Sequence, residues 1–119
     1  MAEAEAEFAA AVRIDPGFGS AQVNLGNVLS QEGKFAQAVP HYRTALGSSP
    51  GNLDLRQNLA VALLESGDAA AAVPEFLEVL RQRPASAEAH HNLGAALAQL
   101  GRNDEAQREL ETEARLSGK

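Results

Sequence analysis

The chain has 119 residues and 45% hydrophobic content, enough for one domain with a real core. It has no cysteine, which excludes disulfide stapling, cysteine-based zinc sites and thiol nucleophiles. Ten Lys and Arg against sixteen Asp and Glu give a net charge of −6, which opposes binding to phosphate backbones, so no nucleic-acid partner is expected. No apolar run approaches the roughly 20 residues that cross a bilayer, and the N-terminal "MAEAEAEFAAAV" is acidic where a secretion signal is basic. The expectation is a soluble, cytoplasmic protein. With only five aromatics (Phe8, Phe18, Phe35, Tyr42, Phe76), the core must be built from Ala, Leu and Val, a composition suited to closely packed helices.

Residues repeat at an interval of 34 in several columns of one register: Pro16, Pro50 and Pro84; Asn24, Asn58 and Asn92; Leu25, Leu59 and Leu93; Gly33, Gly67 and Gly101; Ala38, Ala72 and Ala106. The first element, residues 2–15, "AEAEAEFAAAVRID", matches only the second half of the unit, with Ala4, Phe8 and Ala11 in the places of Ala38, Tyr42 and Ala45. It is predicted as an orphan helix. It either marks a cut from a longer array, caps the first full repeat, or exchanges with another chain.

Three full units are predicted, over residues 19–52, 53–86 and 87–119. In each, apolar residues fall on one helical stripe, as in Ala89, Leu93, Ala96, Leu97 and Leu100, where a strand would alternate. The glycine column ends that helix, since a left-handed residue carries least strain as glycine. A second stripe follows, as in Ala38, Val39, Tyr42, Ala45 and Leu46 or Ala72, Val73, Phe76, Val79 and Leu80, and the prolines at 50 and 84 close the hairpins. The small column Gly26, Ala60 and Gly94 lets two helix backbones approach closely. Pro40 and Pro74 sit inside the second helices, which predicts a late start near Gln37 and Ala71 or a kink. The last helix, in "NDEAQRELETEARLSGK", is the most polar, as suits the terminal helix of an array.

"NLG" at 24–26 and 92–94, "NLA" at 58–60, Ala38 with Tyr42, Ala72 with Phe76, and Pro50 and Pro84 resemble the tetratricopeptide repeat, a family of 34-residue helix-turn-helix units. The resemblance covers nearly the whole chain and implies an all-α, right-handed superhelical solenoid of antiparallel hairpins. Departures are visible. The family's frequent tryptophan is Gln22, Arg56 or His90, its first-helix tyrosine is leucine, and the third unit carries Leu110 for the aromatic and Glu113 for a small residue.

His90 and His91 diverge by about 100° on a helix and have no histidine four residues away, so no metal site is expected; His90 takes the tryptophan place as a packing residue and His91 faces the groove. "GFGS" at 17–20 follows no predicted strand and lacks the glycine and lysine of a phosphate loop. No catalytic residue and no cofactor are expected, and the chain is not read as an enzyme.

In stacked hairpins the first helices line the concave face. Their outward stripe reads Ser20, Val23, Asn24, Asn27 and Gln31; then Asp54, Gln57, Asn58, Val61, Leu64 and Glu65; then Glu88, His91, Asn92, Ala95 and Gln99. Amides dominate, and a carboxamide can both donate to and accept from the backbone of an extended peptide. The predicted groove residues are Asn24, Asn27, Gln57, Asn58, Val61, Leu64, His91 and Asn92, with an apolar side chain of the partner resting on Val61 and Leu64. The branch of the family that binds chaperone tails clamps a terminal carboxylate with lysines and an arginine; here the matching places carry Val23, Asn27, Asn58, Glu88 and Asn92. The groove is therefore neutral to acidic, and the expected partner is a neutral or basic protein segment. Two other readings stand beside it: a module that self-associates through its terminal helices, and an accessory domain of a larger protein.

Overall fold

The computed structural model describes residues 19–118; the orphan helix expected over 2–15 lies outside them. Six α-helices follow in order: α1 (Gly19–Gln31), α2 (Phe35–Ser48), α3 (Leu53–Glu65), α4 (Ala69–Gln82), α5 (Ala87–Gln99) and α6 (Asn103–Leu116). Among the described residues there is no strand. Each helix packs on the one before and the one after it, and α3 also touches α5, so the body is a row of three hairpins measuring 46 × 24 × 24 Å.

The glycine column ends every first helix in the same way. Gly33, Gly67 and Gly101 take φ of 77°, 92° and 77°, the left-handed region that a side chain disfavours. The N–H of the next residue (Lys34, Asp68, Arg102) then bonds back to the carbonyl of Leu29, Leu63 or Leu97 at 2.8, 2.8 and 2.9 Å. The glycine N–H bonds to Ser30, Leu64 or Ala98 at 3.0, 3.1 and 3.0 Å. These two bonds satisfy carbonyls that a helix C-terminus otherwise leaves without donors, and they turn the chain at once into the second helix. At the opposite ends Asn52, Asp68 and Ser86 cap α3, α4 and α5, their side-chain oxygens accepting from the N–H groups of Leu55, Ala71 and Ala89.

The second helices begin at Phe35 and Ala69, two residues before the starts expected from the prolines. The turn geometry decides this: in α2 the N–H groups of Gln37 and Ala38 already bond to the Lys34 carbonyl at 3.2 and 3.1 Å, upstream of Pro40. Pro40 and Pro74 remove only the donors that would face the carbonyls of Ala36 and Ala70. All four residues are exposed, so water can supply those donors.

The core runs as one cluster through all three hairpins, from Leu25 and Leu29 through Tyr42, Leu59, Ala60, Leu63 and Phe76 to Leu93, Leu97 and Ala106. The small column does what close approach requires. A Cβ built on Gly26 would stand 2.7 Å from the Tyr42 ring, and one on Gly94 3.2 Å from Leu110. The last helix differs: the columns Val39/Val73 and Ala45/Val79 are buried, whereas their successors on α6, Gln107 and Glu113, are exposed and half-buried. Only Ala106 of α6 is fully buried.

Candidate peptide-binding groove

Direct contact between α3 and α5 puts the first helices on the inner side of the row. Along that side Asn24, Asn58 and His91 are exposed, and Asn27, Gln57, Val61 and Asn92 are half-buried. Leu64 departs from the expected groove set. It is 5% exposed and belongs to the core cluster: it shares a broad face with Val61, and the packing of the neighbouring helices covers it and leaves Val61 half-buried.

Four of the predicted residues, Asn27, Gln57, Asn58 and Val61, line one recess of about 340 Å³ together with Ser30, Gln31, Phe35, Tyr42, Ala62 and Glu88. Three first helices thus contribute to one hollow. Asn24 lines a second, of about 490 Å³, with Ser20, Val23, Asn52 and Leu55. His91 and Asn92 lie on α5 outside both.

The amides fall into two kinds. Asn27 is committed to the scaffold, its Oδ1 accepting the Tyr42 hydroxyl at 2.6 Å. Among the described residues the side chains of Asn24, Gln57, Asn58 and Asn92 have no hydrogen-bond partner in the protein, and none of their polar atoms is buried. Their donors and acceptors are available to a ligand.

The charges on this side are negative. Asp54 is joined to Arg83 at 2.7 Å, while Glu65 and Glu88 have no ion-pair partner among the described residues. Two arginines of the second helices and their turns are occupied by neighbouring glutamates. Arg81 forms a salt bridge with Glu78, and the hydrogen bonds it gives, with one from Gln82, hold the Glu78 carboxyl down at about 2. Arg102 holds Glu105 below the usual carboxylate range in the same way.

A polar column that sequence reasoning missed ties each hairpin together. The tryptophan place carries Gln22, Arg56 and His90, and each side chain reaches 19 residues ahead to the second helix of its own hairpin. Gln22 Oε1 accepts from His41 Nδ1 at 2.8 Å, Arg56 Nη1 donates to Glu75 at 2.6 Å, and His90 Nδ1 lies 2.6 Å from Glu109. Arg56 and His90 also reach the carbonyls of Pro50 and Pro84 at 3.1 and 2.9 Å, clasping the preceding hairpin. His90, expected as a packing residue in the tryptophan place, fills that place as a hydrogen-bonded bridge. Its side chain is 14% exposed, and an imidazole so placed must satisfy both nitrogens. The signal was present in the 34-residue spacing of His41, Glu75 and Glu109. Burial pushes the His41 imidazole below its ordinary value, which keeps it neutral against Gln22. No group of three His, Cys, Asp or Glu among the described residues is placed to hold a metal.

Equal antiparallel hairpins with glycine-ended first helices and a continuous small-residue seam define a helical-repeat scaffold. Family models described as tetratricopeptide repeat match residues 1–52, 23–87 and 63–112, and the chain belongs to that family. Solved structures share the fold. MamA MSR-1 C2 has a TM-score of 0.89 at 24% identity, over 96% of this chain and 66% of that one. MamA AMB-1 C2221 has 0.88 at 25% identity, over 94% and 66%. A further crystal structure of MamA has 0.83 at 16% identity, over 92% and 64%. The chain thus spans about two-thirds of the length of these proteins. No curated protein matches it by sequence. Family and fold together support a protein-interaction scaffold. Among the described residues no helix is long and apolar enough to cross a membrane.

Proposed function

We propose that the chain is a cytoplasmic scaffold that performs no chemistry and holds an extended, neutral or basic segment of a partner protein along its first helices. The observation that carries this is the set of carboxamides on Asn24, Asn58 and Asn92, spaced by 34 residues, solvent-accessible and without internal partners. Each can accept a backbone N–H and donate to a backbone C=O of a ligand, with little dependence on ligand side chains. Gln57 and His91 extend the polar rim, and Val61 supplies the apolar contact. Asn27 lines the recess with its oxygen taken by Tyr42, which leaves only its amino group to offer a ligand. Leu64 belongs to the buried cluster against which Val61 packs and does not touch the ligand.

The test is a peptide array probed with the full chain and with the double variant Asn58→Ala, Asn92→Ala. Losing two net hydrogen bonds costs roughly 1–3 kcal/mol, so binding should fall between about fivefold and a hundredfold. Both sites carry exposed or half-buried polar side chains, so circular dichroism and thermal unfolding should be unchanged. Binding unaffected by the double variant refutes the groove.

A further inference from the structure

The recess beneath Asn27 and Asn58 contains one ionised side chain among its described lining residues, Glu88. It comes from the first turn of α5, while the apolar floor is Phe35, Val61 and Ala62 from α2 and α3. Tyr42 at the same floor stays a neutral phenol, since burial raises it above its ordinary value. Glu88 is exposed and has no ion-pair partner among the described residues, and the nearby arginine upstream in sequence, Arg83, faces Asp54. An unneutralised carboxylate at the edge of an apolar hollow attracts a cation and repels an anion, and the contact is least screened where ligand and wall exclude water.

We infer that Glu88 is the charge selector of this groove: the recess seats an apolar side chain of the partner on Phe35 and Val61 and pairs a neighbouring lysine or arginine of the same extended segment with the Glu88 carboxylate. The inference rests on the groove reading above and adds the partner's chemistry at one place. Of the three acids of the stripe, Asp54, Glu65 and Glu88, only Glu88 lines the recess. Asp54 already faces Arg83 across an exposed ion pair and lies outside the lining of the recess.

The experiment uses an immobilised library of extended nonapeptides in which every apolar-containing sequence is present with Lys, Gln or Glu at each neighbouring position. Wild-type protein should bind the best Lys peptides about tenfold better than their Glu counterparts, and the contrast should shrink with added salt. Glu88→Gln should bring the ratio to within about twofold while keeping the Gln peptides bound, and Glu88→Lys should reverse it. If peptides bind in an Asn58-dependent way but the Lys-to-Glu ratio survives in Glu88→Gln, the selector role is wrong and the groove stands. If no peptide binds in an Asn58-dependent way, groove and selector fall together.

Discussion

The Tyr42 hydroxyl donates to Asn27 Oδ1 at 2.6 Å and lies 3.2 Å from Ser30 Oγ, a polar cluster that the other two repeats replace as a unit. One repeat on, the three places read Phe76, Val61 and Leu64; two repeats on, Leu110, Ala95 and Ala98. Where the aromatic loses its hydroxyl, both partners become apolar. Tyr42→Phe should therefore cost about 1 kcal/mol by stranding Asn27, and adding Asn27→Val, the second repeat's combination, should recover most of it. Urea unfolding of the double-mutant cycle measures the coupling, and strictly additive losses would show that the hydroxyl contact carries no stability.

Tyr42 is the protein's only tyrosine and the chain has no tryptophan, so phenolate absorbance reports this one group. Burial raises its ionisation above the ordinary value of 10, partly offset by the bond to Ser30. A group whose folded value is raised contributes stability that is present below its unfolded value and is lost as pH climbs through the folded one. The native midpoint should lie above 10, fall back to it in denaturant, and the alkaline loss of stability should be smaller in Tyr42→Phe. A native midpoint at or below 10 would contradict the buried position.

The two glycines of the small column should respond unequally to alanine. At Gly26 the added Cβ meets the Tyr42 ring at 2.7 Å, and that ring is pinned by Asn27 and Ser30, so Gly26→Ala should destabilise by about 1–2 kcal/mol despite the better helix propensity. At Gly94 the nearest atoms, at 3.2 Å, belong to Leu110, a flexible side chain that is 38% exposed, with the Ala106 backbone carbonyl at 3.3 Å behind it. The better helix propensity of alanine and this milder crowding nearly offset, so Gly94→Ala should stay within about 0.5 kcal/mol of wild type. Thermal unfolding of the two variants decides it; equal shifts would contradict the pinned-ring argument.

Arg56 holds Glu75 of its own hairpin and the Pro50 carbonyl of the one before, with its side chain 20% exposed. Arg56→Met keeps the aliphatic stem and removes both bonds, leaving a half-buried carboxylate without its cation. The expected loss is about 1–3 kcal/mol, and Glu75→Gln in the same background should return part of it. Hydrogen exchange should place the extra opening at the α2–α3 boundary. Opening confined to α6 would contradict the clasp.

Much of this architecture is readable in the sequence because it follows from period and stereochemistry. Gly33, Gly67 and Gly101 announce left-handed turns, and the leucine columns announce a buried stripe on each first helix. The failures are of a different kind. Leu64 and Val61 both fit a generous outward stripe, and only the inter-helix packing decides which of them turns inward; the change from Ser30 to Leu64 in step with Tyr42 to Phe76 was the available clue. The early start of α2 and α4 depends on water replacing a donor at Ala36 and Ala70, which a proline rule applied to sequence does not weigh. The Gln22–His41, Arg56–Glu75 and His90–Glu109 pairs need the hairpin geometry that brings residues 19 apart together. Within the groove, the sequence names the amides but not which of them the scaffold uses. Asn27 and Asn58 look alike until Tyr42 is placed.

The central claim is that free carboxamides on the first helices hold the ligand backbone. Its most direct measurement is a heteronuclear NMR titration of the side-chain NH₂ groups of Asn24, Asn58 and Asn92 with the best array peptide. The account predicts saturable shifts at these groups and at the Val61 methyls, with Pro40 and Leu77 on the outer helices unmoved. Shifts confined to the outer helices, or saturation with the three asparagine amides unchanged, would contradict it.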